Sequence, residues 1–262
     1  MVSPTLRVTL IQAQLAWQQP TANRQYFTQQ FDALIGQTDV VVLPEMFTTG
    51  FSMDAATLAE TMQGETLQWL QQQAQRIQAA IVGSVIISEN ERYYNRLIWM
   101  LPDGEYFFYD KKHLFTLANE HQTYTAGHRL LTVHYKGWKI RPLICYDLRF
   151  PAWSRNTDGY DLLLYVANFP HIRQLAWRSL LVARAIENQT YTVGVNVVGT
   201  DGKNIEYSGD STMLDYEGNR LCELSHQPNM ITFVLQYSAQ QAFRQQFAFL
   251  QDADAFSFDK NG

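Results

Sequence analysis

Three stretches of the chain set a reactive side chain just past an apolar, strand-like run. DVVVLPEMF places Glu45 beyond Pro44, EYFFYDKKHLF places Lys111 and Lys112 after an aromatic run, and PLICYDLRFP places Cys145 ahead of an aspartate, an arginine and a proline. Functional side chains concentrate at such strand ends, on loops held by a rigid scaffold. Together the three types suffice for acyl transfer. A neutral thiol needs a base or a positive field before it attacks. A carboxylate can take its proton, and an ammonium can steady the negative oxygen that develops on the attacked carbonyl. Singly, each has an ordinary reading. Free cysteine packs as a small hydrophobe, a glutamate after a buried strand faces water or an arginine, and paired lysines mark a solvated strand edge. The chemistry rests on the set of three, with Cys145 as either a core thiol or a nucleophile.

The elements that must position these groups alternate along the chain. A helical stretch covers about residues 23–34. Leu67, Leu70, Ala74 and Ile77 recur every three or four residues, which predicts a surface helix over 65–78. Hairpin turns are expected at Asp103-Gly104 and Lys136-Gly137. RQLAWRSLLVARAIENQ is the longest helical segment, and the later runs read mostly as strands. DVVVL and DLLLYV are continuously apolar, as strands covered on two faces are. No Pro/Gly/Ser-rich linker divides the chain. The expectation is one α/β domain over residues 1–262, built on two mixed sheets with helices outside. Its aromatic yet polar tail from Phe243 should dock on something, with an oligomeric partner as one choice.

Composition removes several function classes. A formal charge of −5 with interspersed signs leaves no footprint for nucleic acid. No basic, apolar leader and no spanning segment stand out, which points to a cytoplasmic protein that does not bind membranes. Cys145 and Cys222 lie in dissimilar contexts and suggest no disulfide; Cys222, in NRLCELS, is expected to be inert. The histidines at 113, 121, 128 and 134 have no metal-ligand spacing, so neither metal nor cofactor is expected. No histidine sits in a recognisable Cys-His protease motif, and GTDGKN and YEGN read as turns rather than phosphate loops.

LPEMF, YDKKHLF and ICYDLRFP, in this order, resemble the three signature regions of the nitrilase superfamily of carbon–nitrogen hydrolases. WRSLLVARAIENQTYTVGVNVVG and YSGDSTMLDYEG extend the likeness, which covers about residues 6–233. ANFPHIRQLAWRSLLVARAIENQ resembles bacterial ω-amidases, which cleave the terminal amide of 2-oxo-dicarboxylate monoamides such as 2-oxoglutaramate and 2-oxosuccinamate. The resemblance implies a four-layer α-β-β-α sandwich, a homodimer and a cysteine thioester intermediate; the tail from about residue 238, by its composition, is the segment expected at the dimer interface. It also implies a place in clearing the oxo-amides that glutamine-dependent transamination leaves, as in methionine salvage. Another linear amidase, a carbamoyl hydrolase, a nitrilase or a non-catalytic binding protein are the alternatives.

Carried over residue by residue, the resemblance makes Cys145 the nucleophile, Glu45 the general base and Lys111 the oxyanion-stabilising cation. Lys112 would face the other way in an extended segment. Glu120 would position Lys111, and the Tyr146 backbone N–H would share the oxyanion. Asp110, where many relatives carry arginine, is taken as peripheral. Cys145 is expected to open a helix towards Trp153, capped by Asp147. For a remote carboxylate, Arg173 and Arg149 are the candidate clamps, with Phe47, Tyr146, Phe169 and Trp177 as candidate pocket walls.

Overall fold

A computed structural model describes residues 3–258. The chain runs β1 (Thr5–Gln12), α1 (Pro20–Phe31), β2 (Val40–Val42), α2 (Ala55–Leu58), α3 (Glu65–Ile77), β3 (Ala80–Glu89), β4 (Arg92–Met100) and β5 (Tyr106–Asp110). After α4 (Glu120–Thr123) come β6 (Val133–Tyr135), β7 (Trp138–Ile144), α5 (Pro151–Ser154), β8 (Leu162–Ala167), α6 (Gln174–Asn188) and β9 (Tyr191–Asn196). β10 (Val198–Thr200), β11 (Glu206–Leu214), β12 (Arg220–Ser225), β13 (Asn229–Gln236) and α7 (Tyr237–Gln246) complete it.

The strands form two mixed sheets. The first has the order β13-β1-β2-β3-β4-β5, parallel across β1, β2 and β3. The second has the order β10-β11-β9-β8-β7-β6, with β12 beside β11, and is parallel across β7, β8 and β9. The period-two geometry of a strand divides its side chains between two layers. Val40, Val42, Ala80, Val82, Leu97 and Trp99 belong to the same cluster as Trp138, Ile140 and Leu162 of the second sheet. Their neighbours Val41, Ile81, Ile98 and Met100 pack instead with Phe27 and Phe31 of α1 and Leu70, Ala74 and Ile77 of α3. On the second sheet, α6 contributes Trp177, Leu181 and Ala185 to the buried cluster. The result is a four-layer α-β-β-α sandwich. No helix among the described residues is long and apolar enough to cross a membrane.

Local chemistry explains most boundaries. Proline's fixed φ suits a first helical turn, so α1 starts at Pro20, earlier than its apolar pattern indicates, and passes at Asp32 into a short 3-10 turn. α3 ends where Gln78 turns left-handed (φ 55°). Lys136 and Gly137 take positive φ (50° and 85°), which matches the twist of a tight hairpin. The tail folds back on its own chain. Tyr237 packs edge-on to Trp138 with ring centroids 5.3 Å apart, the Gln240 amide donates to Asp161 O (2.7 Å), and Arg244 pairs with Asp161 (3.1 Å). Residues 259–262 of that tail lie outside the described residues.

Candidate active site

Glu45 follows β2, Lys111 follows β5, Cys145 follows β7 and Asn168 follows β8, and these four strand ends converge. The Lys111 Nζ donates to Glu45 Oε1 (2.8 Å) and to the two Glu120 carboxylate oxygens (3.0 Å each), with all three side chains sealed from solvent. Asn95, in the middle of β4, donates to Glu45 Oε1 (2.8 Å) and Glu120 Oε1 (3.3 Å), and Ser84 Oγ orients it by donating to its Oδ1 (2.8 Å). The Asn168 N–H donates to Glu45 Oε2 (2.8 Å), and its side chain donates to Glu45 O (2.6 Å). The Phe115 N–H donates to Glu120 Oε2 (2.5 Å). Fixed donors thus surround the buried carboxylates, as their burial demands. The Cys145 thiol lies 3.9 Å from Asn168 O, within the field of the Glu45 carboxylate.

The electrostatics fix the resting protonation. Burial alone would lower the Lys111 ammonium, but Glu120 and then Glu45 outweigh it and hold the group above its usual range, so it stays charged. Burial pushes Glu120 up, against the pull of Lys111 and with a further push from Glu45. Burial also drives the Cys145 thiol well above the usual cysteine value, and the Glu45 charge adds to it. A neutral thiol therefore waits beside a carboxylate, and ionising it in place would add a third negative charge to the cluster. Its proton must leave as the new bond forms.

Cys145 itself stands in the left-handed region (φ 43°), a conformation that costs a non-glycine residue roughly 1–2 kcal/mol. Asp147 is the tie that holds it there. Its Oδ2 accepts the Ile144 N–H (3.1 Å) and the Tyr109 hydroxyl (2.7 Å), and its Oδ1 accepts the His113 N–H (3.0 Å) and lies 2.8 Å from His113 Nδ1. The His113 ring stacks on Phe150 at 3.6 Å. One carboxylate thus joins the segment after Lys111 to the turn of Cys145. The expected helix towards Trp153 is corrected: Cys145–Arg149 is a 3-10 turn that breaks at Phe150 before the four-residue α5. It has no dipole of consequence, and Asp147 does more than cap it.

Beside the sulfur lies a cavity of about 570 Å³ including its mouth, with Phe51, Phe115, Tyr146, Phe169 and Tyr207 among its walls. Arg149, Arg173 and Lys203 also line it. The Arg149 guanidinium sits 5.7 Å from the Phe169 ring centre and that of Arg173 4.9 Å from Phe115. Neither arginine has a carboxylate partner among the described residues. Two expected wall residues lie elsewhere. Met46 takes a positive φ (44°) and sends Phe47 away from Glu45, into contact with Phe27 (5.6 Å) and Trp69 (5.9 Å) in the layer beneath α1 and α3. Trp177 packs on Phe169 (5.3 Å), with its indole donating to Asp210 O (2.9 Å), so it supports the wall without lining it. Lys112 is not between the carboxylates; its ammonium lies 5.7 Å from the Trp153 ring centre. Nor is Asp110 peripheral, because it grips the buried Arg96 at 2.6 and 2.9 Å next to Lys111. Cys222 sits half-buried on β12. Sequence reasoning missed Asn95, Asn168, Lys203 and Tyr207. The first two carried a signal: a polar residue inside the apolar YYNRLIW, and one at the end of DLLLYVAN.

The chain matches the sequence profile of the carbon–nitrogen hydrolases over residues 7–245. It is 45% identical to the ω-amidase YafV of Escherichia coli K12, covering 97% of this chain and 98% of that one. It is 40% identical to the 2-oxoglutaramate amidase of Bacillus subtilis, over 71% of this chain and 73% of the relative. Among solved structures, a CN-hydrolase superfamily protein of Xanthomonas campestris with an arsenic adduct in its active site superposes with a TM-score of 0.96. That pair shares 42% identity over 97% of this chain and 99% of the other.

Proposed function

Because the chain belongs to the carbon–nitrogen hydrolase family, we propose that it is an ω-amidase. In this reading it cleaves the terminal amide of 2-oxo-dicarboxylate monoamides to the 2-oxo acid and ammonia. The observation that carries the reading is the enclosed convergence of a neutral thiol, a carboxylate and a doubly paired ammonium. Similarity to the ω-amidase and the 2-oxoglutaramate amidase supports the substrate class. So do Arg149 and Arg173, which lack carboxylate partners among the described residues and line a cavity that an anionic acyl chain would enter.

The chemistry runs in two halves. Glu45 takes the Cys145 proton while the sulfur bonds to the amide carbon. Lys111 and the Tyr146 N–H hold the oxygen that becomes negative, and Glu120 keeps Lys111 aimed. One such donor is worth about 3–4 kcal/mol of barrier. Glu45 hands its proton to the amide nitrogen, the carbon–nitrogen bond breaks, and ammonia leaves a thioester on Cys145. Water then gives a proton to Glu45 and attacks the thioester. The carbon–sulfur bond breaks as that proton returns to sulfur, which releases the acid. No metal or cofactor enters these steps. A single cytoplasmic domain that pairs as a homodimer completes the proposal.

Ammonia release from 2-oxoglutaramate by the wild type and by Cys145→Ala tests it. Release by the wild type alone is expected. Equal release would remove Cys145 from the mechanism. Release by neither, with turnover of a nitrile or a carbamoyl compound, would move the protein to another branch.

A further inference from the structure

The turn between β10 and β11 walls the cavity and brings a cation that the bond-breaking steps do not use. Asp201 shapes the turn: its Oδ1 accepts the N–H groups of Lys203 (2.8 Å) and Ile205 (3.0 Å), and its Oδ2 accepts the Tyr207 hydroxyl (3.0 Å). Trp17 anchors the turn from behind. A β carbon on Gly202 would lie 2.2 Å from Trp17 Cδ1, and one on Gly50 would lie 3.0 Å from the same indole. The ring is therefore gripped between this turn and the loop that carries Phe51. The Lys203 ammonium sits 5.8 Å from the Trp17 ring centre, and Lys203 lines the cavity with Ile205 and Tyr207.

The charges around the space are uneven. At the reacting end, Glu45 and Glu120 exceed Lys111 by one negative charge. Among the described residues, the remaining walls carry Arg149, Arg173 and Lys203 and no acidic residue. Asp201, the carboxylate of the turn, is spent on the Tyr207 hydroxyl and its own backbone. A neutral acyl chain would leave these three wall cations without a counter-charge from the substrate, whereas a chain ending in a carboxylate supplies one.

We propose that Lys203 determines specificity by holding the carboxylate end of the substrate together with Arg149 and Arg173, and that Trp17 sets its reach by pinning the turn. The inference rests on the amidase reading for the reaction but not on any one amide. Lys203 stands exposed at the mouth, while Arg149 and Arg173 are half-buried, so it acts in capture more than in the chemical step. Its effect is screened by salt.

The test compares the wild type, Lys203→Met, Lys203→Arg and Gly202→Ala on 2-oxoglutaramate, succinamate and the neutral butyramide. Lys203→Met should raise KM for the two anionic amides about tenfold, the order of one charge-assisted contact, and leave kcat within about twofold. Butyramide turnover should not change, and Lys203→Arg should restore most of the loss. Gly202→Ala, which pushes the turn off Trp17 without removing a charge, should show the same anion-specific rise. An unchanged KM in Lys203→Met, or an equal loss on all three amides, overturns the inference. If the wild type ignores 2-oxoglutaramate but cleaves succinamate, the oxo-amide reading falls while Lys203 is still scored on the anionic-to-neutral ratio. Calorimetry of 2-oxoglutarate on Cys145→Ala, with and without Lys203→Met, gives a readout that needs no turnover. Binding that Lys203→Met fails to weaken, or no binding at all, also overturns the inference.

Discussion

Lys111→Met keeps the length of the side chain and removes the cation from between two carboxylates that have no solvent exposure. Breaking a buried pair by deleting one partner costs about 3–5 kcal/mol, because the surviving charge is stranded. Here one ammonium serves two carboxylates, so the upper half of that range applies wherever the two stay ionised. The variant has one escape, which is to bind a proton. Burial already raises Glu120, and the main force against that rise is Lys111 itself. With Lys111 gone the carboxyl climbs further above its unfolded value of about 4.3. The native state then holds more protons than the unfolded state between those two values, so stability falls as pH rises through that window. Urea unfolding should therefore show a small deficit against wild type near pH 5 and one of about 4–5 kcal/mol at pH 8. In a chain of this size that corresponds to a Tm lower by about 10 °C. Ammonia release should drop about 10²–10³-fold in kcat from the lost oxyanion donor. Adding Glu120→Gln should recover much of the stability at pH 8 and none of the activity. An equal deficit at the two pH values, or a double variant less stable than the single one at pH 8, would refute the charge accounting.

Asp147→Asn keeps the shape but weakens a carboxylate that ties Ile144, Tyr109 and His113 together. It should cost about 2–3 kcal/mol in urea unfolding and lower kcat more than it raises KM; an unmoved midpoint would show that the tie is idle. In a Cys222→Ser background, alkylation of Cys145 by iodoacetamide should stay slow through the pH range where free thiols, with a pKa of about 8.5, ionise. The cause is burial, with the Glu45 charge beside it, holding the proton on sulfur. A reactivity step below that range would contradict the neutral resting thiol.

The residues that do chemistry were legible where local patterning carries them. Glu45, Lys111 and Cys145 each follow a strand whose apolar run announces its end, and the order of their motifs resembles one family. Direction was not legible. Phe47 lies two residues from Glu45, yet the left-handed turn at Met46 sends it to the opposite layer. Trp177 shares a segment with Arg173 but faces the sheet. The helix expected after Cys145 stops at Phe150, where the backbone turns extended (φ −113°, ψ 90°) and the chain restarts at Pro151. Lys203 sits in GTDGKN, which local chemistry describes only as a turn; what gives it meaning is Trp17, a neighbour in space from the other end of the chain.

Glu45 and Lys111 leave the first sheet, and Cys145 and Asn168 leave the second. The reaction therefore straddles a seam where the two sheets meet by side-chain packing and not by strand pairing. A slide of about 1 Å along that seam would preserve every strand pairing and keep the interior dry, yet displacements of that size cost about a hundredfold in rate. The middle layer of Val40, Val42, Val82, Trp99, Trp138 and Ile140 is thus a ruler as well as a glue. Repacking it should tell in turnover before it tells in melting.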